Sequence, residues 1–231
     1  MEHPVLILNL ILENVGLGHF AHTYPHLVYT WFFSLILILL GYFATRKISM
    51  VPGTLQALFE YVVQALWGFQ KDIMGKRGMI FFPMTTTLMI FVFFSNINGL
   101  IPGSYSPTST LNTTLAYALM IVVMTHVMGF WVHGFKYIKH FIGPSPFLAP
   151  IMCPVEIVSH AARVVSLSFR LFGNIFGEDL VITILIMLAG QYFLPLPMMF
   201  LGLFTGFLQA YIISLLAMVY IGEAMAEEEG H

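Results

Sequence analysis

Arg170 stands in the run Ser166-Leu167-Ser168-Phe169-Arg170-Leu171-Phe172-Gly173-Asn174, inside a long apolar stretch. A guanidinium keeps its proton in proteins, so this charge cannot be removed by a pKa shift. At membrane depth it costs from about 3 to more than 10 kcal/mol and persists only against a partner. Its chemistry is that of a fixed cation. It can hold an acid in its ionised form, bind an anion or turn away a proton, but it cannot relay one. Glu156, Ser159, His160, Arg163, Ser166, Asn174 and Glu178 accompany it. At about 100° per residue, all of them fall within an arc of roughly 120° on one helix. Ile157, Val164, Val165, Leu167, Leu171 and Ile175 are read as the opposing apolar face. Glu, His, Ser and Asn side chains exchange protons or hold chains of water. From Glu156 to Glu178 the stripe covers roughly 33 Å, enough to cross a bilayer. A solvated surface helix would show a similar stripe, but apolar neighbours and a following transmembrane pair argue against it. The stripe is read as lining an intramembrane aqueous path or facing a partner.

The elements that must position these groups are legible from composition. The chain has 231 residues, 58% hydrophobic and 9% charged, where a soluble domain carries about 25% charge. This is an all-α polytopic membrane protein, with residues 1–231 forming a single membrane domain. The net charge of −2 gives no ground for a nucleic-acid partner. Cys153 is the only cysteine, which excludes an internal disulfide and a cysteine-based metal cluster. It is read as a small packed residue. Met1 to Leu12 contains Glu2 and lacks the basic start of a signal peptide, so the first transmembrane segment is expected to act as the insertion signal.

Charge-free stretches predict about five membrane-embedded helices. The first covers 26–45. A hairpin over 79–135 follows, with helices near Met79–Ile101 and Leu111–Phe135 broken at Pro102-Gly103-Ser104-Tyr105-Ser106-Pro107. A second hairpin over 150–223 holds the polar stripe, with Pro195 and Pro197 marking its turn. On its last helix, Met198–Ile221, the residues Gly202, Thr205, Gly206 and Gln209 share a side with Tyr220, and Glu223 continues it. Gly202 and Gly206 form a small-residue step that permits close approach, and Gln209 is placed to bond toward the Arg170 region. Residues 52–73 carry Phe59, Val62, Val63, Leu66 and Phe69 at helical spacing, interrupted by Glu60, Gln64 and Lys71. They predict an amphipathic helix, either lying on the cytoplasmic face or packed beneath the bundle. Arg46, Lys47, Lys71, Lys76, Arg77, Lys136 and Lys139 all fall on one side, which predicts that side as cytoplasmic. The N-terminus is then outside and the C-terminus inside.

These residues carry a resemblance. Ser166 to Asn174 and the following Gly177-Glu178-Asp179-Leu180 are similar to the signature of subunit a of F-type ATP synthases, in the membrane Fo, or CF(0), sector. So are Leu208-Gln209-Ala210-Tyr211-Ile212, Asn98-Gly99-Leu100-Ile101-Pro102-Gly103 with Asn112 downstream, and the acidic Glu227-Glu228-Glu229. The resemblance covers most of the chain. It implies a non-catalytic stator whose long tilted hairpin faces a rotating ring of c subunits. Two offset half-channels would pass protons to and from the ring's carboxylates, coupling ion flow to rotation and ATP synthesis.

Under this resemblance Arg170 separates the half-channels and acts as the electrostatic switch, with Gln209 near it. Asn174 and Asp179 match positions on the outer access path, which Asn112 also lines. Glu156, Ser159, His160 and Ser166 border the cytoplasmic path, and Arg163 is a cytoplasm-side group. The implied partners are the c ring, peripheral-stalk b subunits, the F1 sector indirectly and the lipid of a bacterial inner membrane. No cofactor or metal is called for. Two departures stand out. Gly202 occupies a place where many members carry an ionisable residue, with Glu178 as an extra acid beside Asp179. Thr110 lies where relatives often have an acid.

Other classes fit less well. A secondary transporter could use Arg170 to bind an anionic substrate, but no inverted repeat supports it. His126, His133 and His140 suggest haem spacing, yet His160 stands alone on its own helix and offers no matching pair. His3, His19, His22 and His26 are read as exposed groups near the outer surface. Asn112-Thr113-Thr114 matches a short glycosylation pattern of high chance occurrence. No nucleophile triad, phosphate loop or metal-ligand box is present in the sequence.

Overall fold

In lipid, backbone polar groups have no water to bond, so an apolar segment crosses as a helix. The computed structural model describes residues 13, 18–46, 53–101, 104–137, 149–189, 193 and 195–225. Among them, five helices are long and apolar enough to cross a membrane, and no strand is present. The protein is an all-α polytopic membrane protein.

A short helix α1, Gly18–Thr23, precedes α2, Pro25–Thr45. Pro25 opens α2 where a helix has no use for the missing N–H. Helix α3, Thr54–Met74, stops at Gly75, whose positive φ of 64° directs its N–H back to the Lys71 carbonyl. A 3-10 turn, Arg77–Phe81, leads into α4, Phe82–Gly99. A second such turn, Pro107–Ser109, leads into α5, Leu111–His133. Helix α6, Ala149–Ala189, runs unbroken for 41 residues with Pro154 in its second turn. At about 1.5 Å per residue it is roughly twice as long as a hydrocarbon core is thick, so it must incline or protrude. Helix α7, Pro195–Met225, completes the bundle. Pro195 and Pro197 sit in the first turn of α7, where they are tolerated, rather than between the two helices.

Helix α4 packs on α7 and α5 on α6, while α7 also touches α5 and α6. Leu88 and Val92, Ala118 and Ile121, Leu167, Leu171 and Ile175, and Ala210, Ile213 and Ala217 meet in one core. Lipid is as apolar as these side chains, so burial alone does not hold the helices together. Close approach and interhelical hydrogen bonds do. Asn96 Nδ2 donates to the Gly206 carbonyl at 3.0 Å. A β-carbon on Gly206 would stand 3.2 Å from that of Asn96, so the small residue sets the approach. Ser214 Oγ donates to the Thr85 carbonyl at 3.3 Å.

Helix α3 combines both placements open to it. Much of its surface is exposed, but Gln70 at its end is fully buried. Gln70 Nε2 donates to the Gly78 carbonyl at 2.8 Å, and its Oε1 accepts from the Thr85 hydroxyl. Phe69 meets Tyr211 and Trp67 meets Phe82 at ring separations of 5.1 and 4.9 Å. Phe81, Met128 and Ile221 cluster here with Met74, Met84 and Met225. Lys71, Lys76 and Arg77 lie in the chain on either side of this junction and mark it as the basic end of the bundle. Lys47, Lys139, His3, His140, Pro102, Gly103 and the acidic tail Glu227-Glu228-Glu229 lie outside the described residues.

Because Gln70 satisfies two buried groups, Gln70→Ala should lower stability by about 1–3 kcal/mol. Gln64→Ala, on the exposed face, should stay within about 0.5 kcal/mol. The thermal midpoint of the purified assembly checks both.

Candidate functional site

Helix α6 turns Leu167, Ser168, Leu171 and Ile175 into the bundle and leaves Ser166, Phe169, Arg170, Gly173, Asn174 and Phe176 exposed. Of the apolar arc, Leu167, Leu171 and Ile175 form the interior face, whereas Ile157 and Val165 are exposed, as are Ser166, Arg170 and Asn174 of the polar stripe. Arg170 makes one long contact, at 3.5 Å to the Ser166 hydroxyl, and no acid among the described residues pairs with it. A cation on a spanning helix is costly unless it is paired, hydrated or turned away from lipid. Gln209 does not reach it. That amide is 4% exposed on α7, and its Oε1 accepts from Asn174 Nδ2 at 3.1 Å, one turn beyond Arg170.

Past Asn174 the two acids diverge. Glu178 leans onto α7, where its Oε2 accepts from the Thr205 hydroxyl at 3.1 Å. Its carboxyl fills the space over Gly202, and a β-carbon on Gly202 would overlap it. The position lacking an ionisable side chain is the notch that receives one from α6. Asp179 faces α4 and the Pro107–Ser109 turn instead. Its Oδ1 lies 3.1 Å from where a β-carbon of Gly99 would be, and the Ser109 hydroxyl faces it. Tyr105 stands nearby. Burial raises its phenol above the usual range, the Ser109 bond opposes this, and the Asp179 charge adds to it.

The segment before α5 folds back into the bundle, with Pro107, Thr108 and Ser109 all buried. Asn96 Oδ1 accepts from Thr108 at 2.7 Å, and Ser106 Oγ donates to the Ser95 carbonyl at 3.0 Å. Asn98 holds the Tyr105 carbonyl at 2.7 Å and accepts from Ser104 at 2.6 Å. Sequence reasoning saw only a turn in this stretch and missed Ser95, Asn96, Ser106, Thr108 and Ser109. Their signal was the density of amides and hydroxyls at the end of an apolar run. Asn112 is exposed in the first turn of α5, and Thr110 bonds the Pro107 carbonyl at 3.0 Å.

At the basic end, His160 Nε2 lies 3.4 Å from Glu156 Oε1, and Ser159 is half-buried beside them. Arg163 pairs with Glu223 on α7 at 3.6 Å and lies 4.6 Å over the Tyr220 ring. The His160 ring is met by His126 of α5, which sequence reasoning weighed only as a haem ligand. Among the described residues no cluster of His, Cys, Asp or Glu could hold a metal ion.

Fold and site together define a multi-span membrane protein with a fixed cation, unpaired among the described residues, between two polar clusters on one long helix. A family model described as ATP synthase A chain matches residues 27–222. The chain is 50% identical to ATP synthase subunit a of Syntrophobacter fumaroxidans, covering 97% of this chain and 98% of that one. It is 46% identical to the Desulfosudis oleivorans subunit a, with the same coverages of 97% and 98%. It is 42% identical to that of Geotalea uraniireducens over 100% of both. The chain belongs to the ATP synthase A chain family.

The Gly202 notch predicts strong coupling between two positions. Gly202→Ala should lower the thermal midpoint of the assembly, because Glu178 must leave its place. Adding Glu178→Ala should recover much of that loss, giving a coupling of about 1 kcal/mol or more in a double-mutant cycle.

Proposed function

We propose that this chain is the stator subunit of a rotary ATP synthase, forming two offset aqueous half-channels that carry protons to and from carboxylates on a c-subunit ring. The observation that carries this is Arg170, a cation exposed on a spanning helix with no acid among the described residues beside it. A ring that presents one mid-membrane carboxylate at a time supplies the missing anion. At 4 Å and an effective dielectric of about 20, the attraction is about 4 kcal/mol, which favours the ionised carboxylate by roughly 10³-fold. A carboxylate arriving at Arg170 therefore gives up its proton. The same charge repels a proton moving directly between the two paths.

The outer path runs by Asn174, Glu178, Asp179 and the hydroxyls of the folded-back segment, with Asn112 at its approach. The inner path runs by Ser166, Arg163, His160, Ser159 and Glu156. Gln209 holds Asn174 in place on the turn above Arg170. With the basic end cytoplasmic, the N-terminus is outside and the C-terminus inside a bacterial inner membrane. Each charge moved through 100 mV releases about 2.3 kcal/mol. The chain makes no covalent bond itself. The c ring passes α6, b subunits of the peripheral stalk hold the chain still, and the F1 sector is reached through them.

Arg170→Ala should reduce ATP-driven proton pumping in inverted vesicles by about 10²–10³-fold, following the lost attraction. The c ring and b subunits should still copurify in mild detergent, because the guanidinium is exposed and its one contact among the described residues is the long one to Ser166. Near-normal pumping by this variant, or transport by the isolated chain in liposomes, would overturn the proposal.

A further inference from the structure

Four proton-active side chains, two from α6 and two from α5 and the residues just after it, converge at the basic end. Tyr137, just after α5, places its hydroxyl 3.0 Å from His126 Nδ1. The His126 and His160 rings are 4.5 Å apart at an angle of 67°. His160 Nε2 lies 3.4 Å from Glu156 Oε1, with the two side chains 14% and 28% exposed. The contacts therefore link Tyr137, His126, His160 and Glu156 in that order, with Tyr137 buried and the other three half-buried. Tyr137 is 5% exposed, and its ring lies against α5 at Gly129, where a β-carbon would overlap it.

The charges around the pair limit what it can hold. Two imidazoles in contact cannot both be cationic without repulsion, and Arg163 also acts on His126. Arg163 is itself held by Glu223 and Tyr220 of α7, so its charge stays fixed. Glu156 is the acid beside the pair, 3.4 Å from His160 Nε2. Imidazole is the side chain that changes charge near neutrality. Burial, reinforced by Glu156 and opposed by Arg163, keeps the Tyr137 phenol protonated above its usual range. Its hydroxyl can donate to neutral His126 or accept from the protonated ring, so the ring can change charge without losing its bond.

We propose that His126 and His160 form a one-proton store at the inner mouth, exchanging protons between the α6 path and the surface through Glu156. This rests on the half-channel reading and adds two groups, His126 and Tyr137, that lie off the α6 stripe. A proton taken up by one imidazole nitrogen passes to the Glu156 carboxylate or back into the path, and no other bond changes. The store matters most when free protons are scarce.

The test is ATP-driven pumping by the whole complex in inverted vesicles, whose medium faces the inner path. His126→Gln keeps a bonding partner for Tyr137 but cannot carry a proton. It should pump about tenfold more slowly at pH near 8 and within about twofold of the parent near pH 6. Free imidazole added to the medium should restore most of the loss at high pH. Tyr137→Phe should shift the profile in the same direction by a smaller factor, and it decides the matter if His126→Gln fails to assemble. Unchanged pumping at every pH, or an equal loss at both pH values that imidazole does not relieve, would overturn the store. Arg170→Ala in the same assay separates the two claims. If that variant pumps, the half-channel reading fails. If it is silent while His126→Gln shows no pH dependence, only the store fails.

Discussion

The charge of Arg170 cannot be neutralised and finds no acid partner among the described residues, and most of the architecture around it follows from that constraint. A side chain of this kind must be carried on a rigid element, because an error of an ångström would change its field at a reacting acid appreciably. Helix α6 is that element. Leu167, Leu171 and Ile175 are each buried to 5% exposure or less against α5 and α7, which fixes the rotation of the helix. That rotation sends Arg170, two positions from Ser168, out of the bundle. The cation is thereby placed on the surface of the bundle and not in its core.

The bundle is held in register by glycines that make room for polar or bulky side chains. Gly206 admits Asn96, Gly202 admits the Glu178 carboxyl, and Gly129 admits the Tyr137 ring. Each contact joins different elements and leaves space for the visiting group and no other. In lipid, where burial supplies little attraction between helices, such contacts specify the packing. They also place titratable groups. Glu178 is carried to α7 while its neighbour Asp179 is turned to α4, so two adjacent acids serve two different surroundings. The same folded-back segment that faces Asp179 also anchors α7 through Asn96. Stability and the outer polar cluster are therefore one structure.

The fold class was readable because spans are long, charge-free stretches, and lipid permits little besides helices to fill them. Arg170 was readable for the complementary reason that a charge inside such a stretch is conspicuous. What lay beyond the sequence depends on contacts between segments far apart in the chain. No periodicity could place His126 against His160, since one lies on α5 and the other on α6. No local signal distinguishes a turn that projects outward from one that tucks in, and Pro107 to Ser109 tuck in because Asn96 offers them a partner. Gln209 was expected near Arg170, but that its partner is Asn174, one turn along α6, depends on how α7 packs. The prolines at 195 and 197 read as a break, yet the first turn of a helix accepts them.

The most direct measurement is a density map of the complete assembly in lipid, at a resolution that shows side chains. The account predicts another subunit's helix lying against the exposed face of α6, with an acidic side chain passing within about 4–6 Å of the Arg170 guanidinium. A guanidinium surrounded by lipid or open water, with no neighbouring subunit along that face, would contradict it.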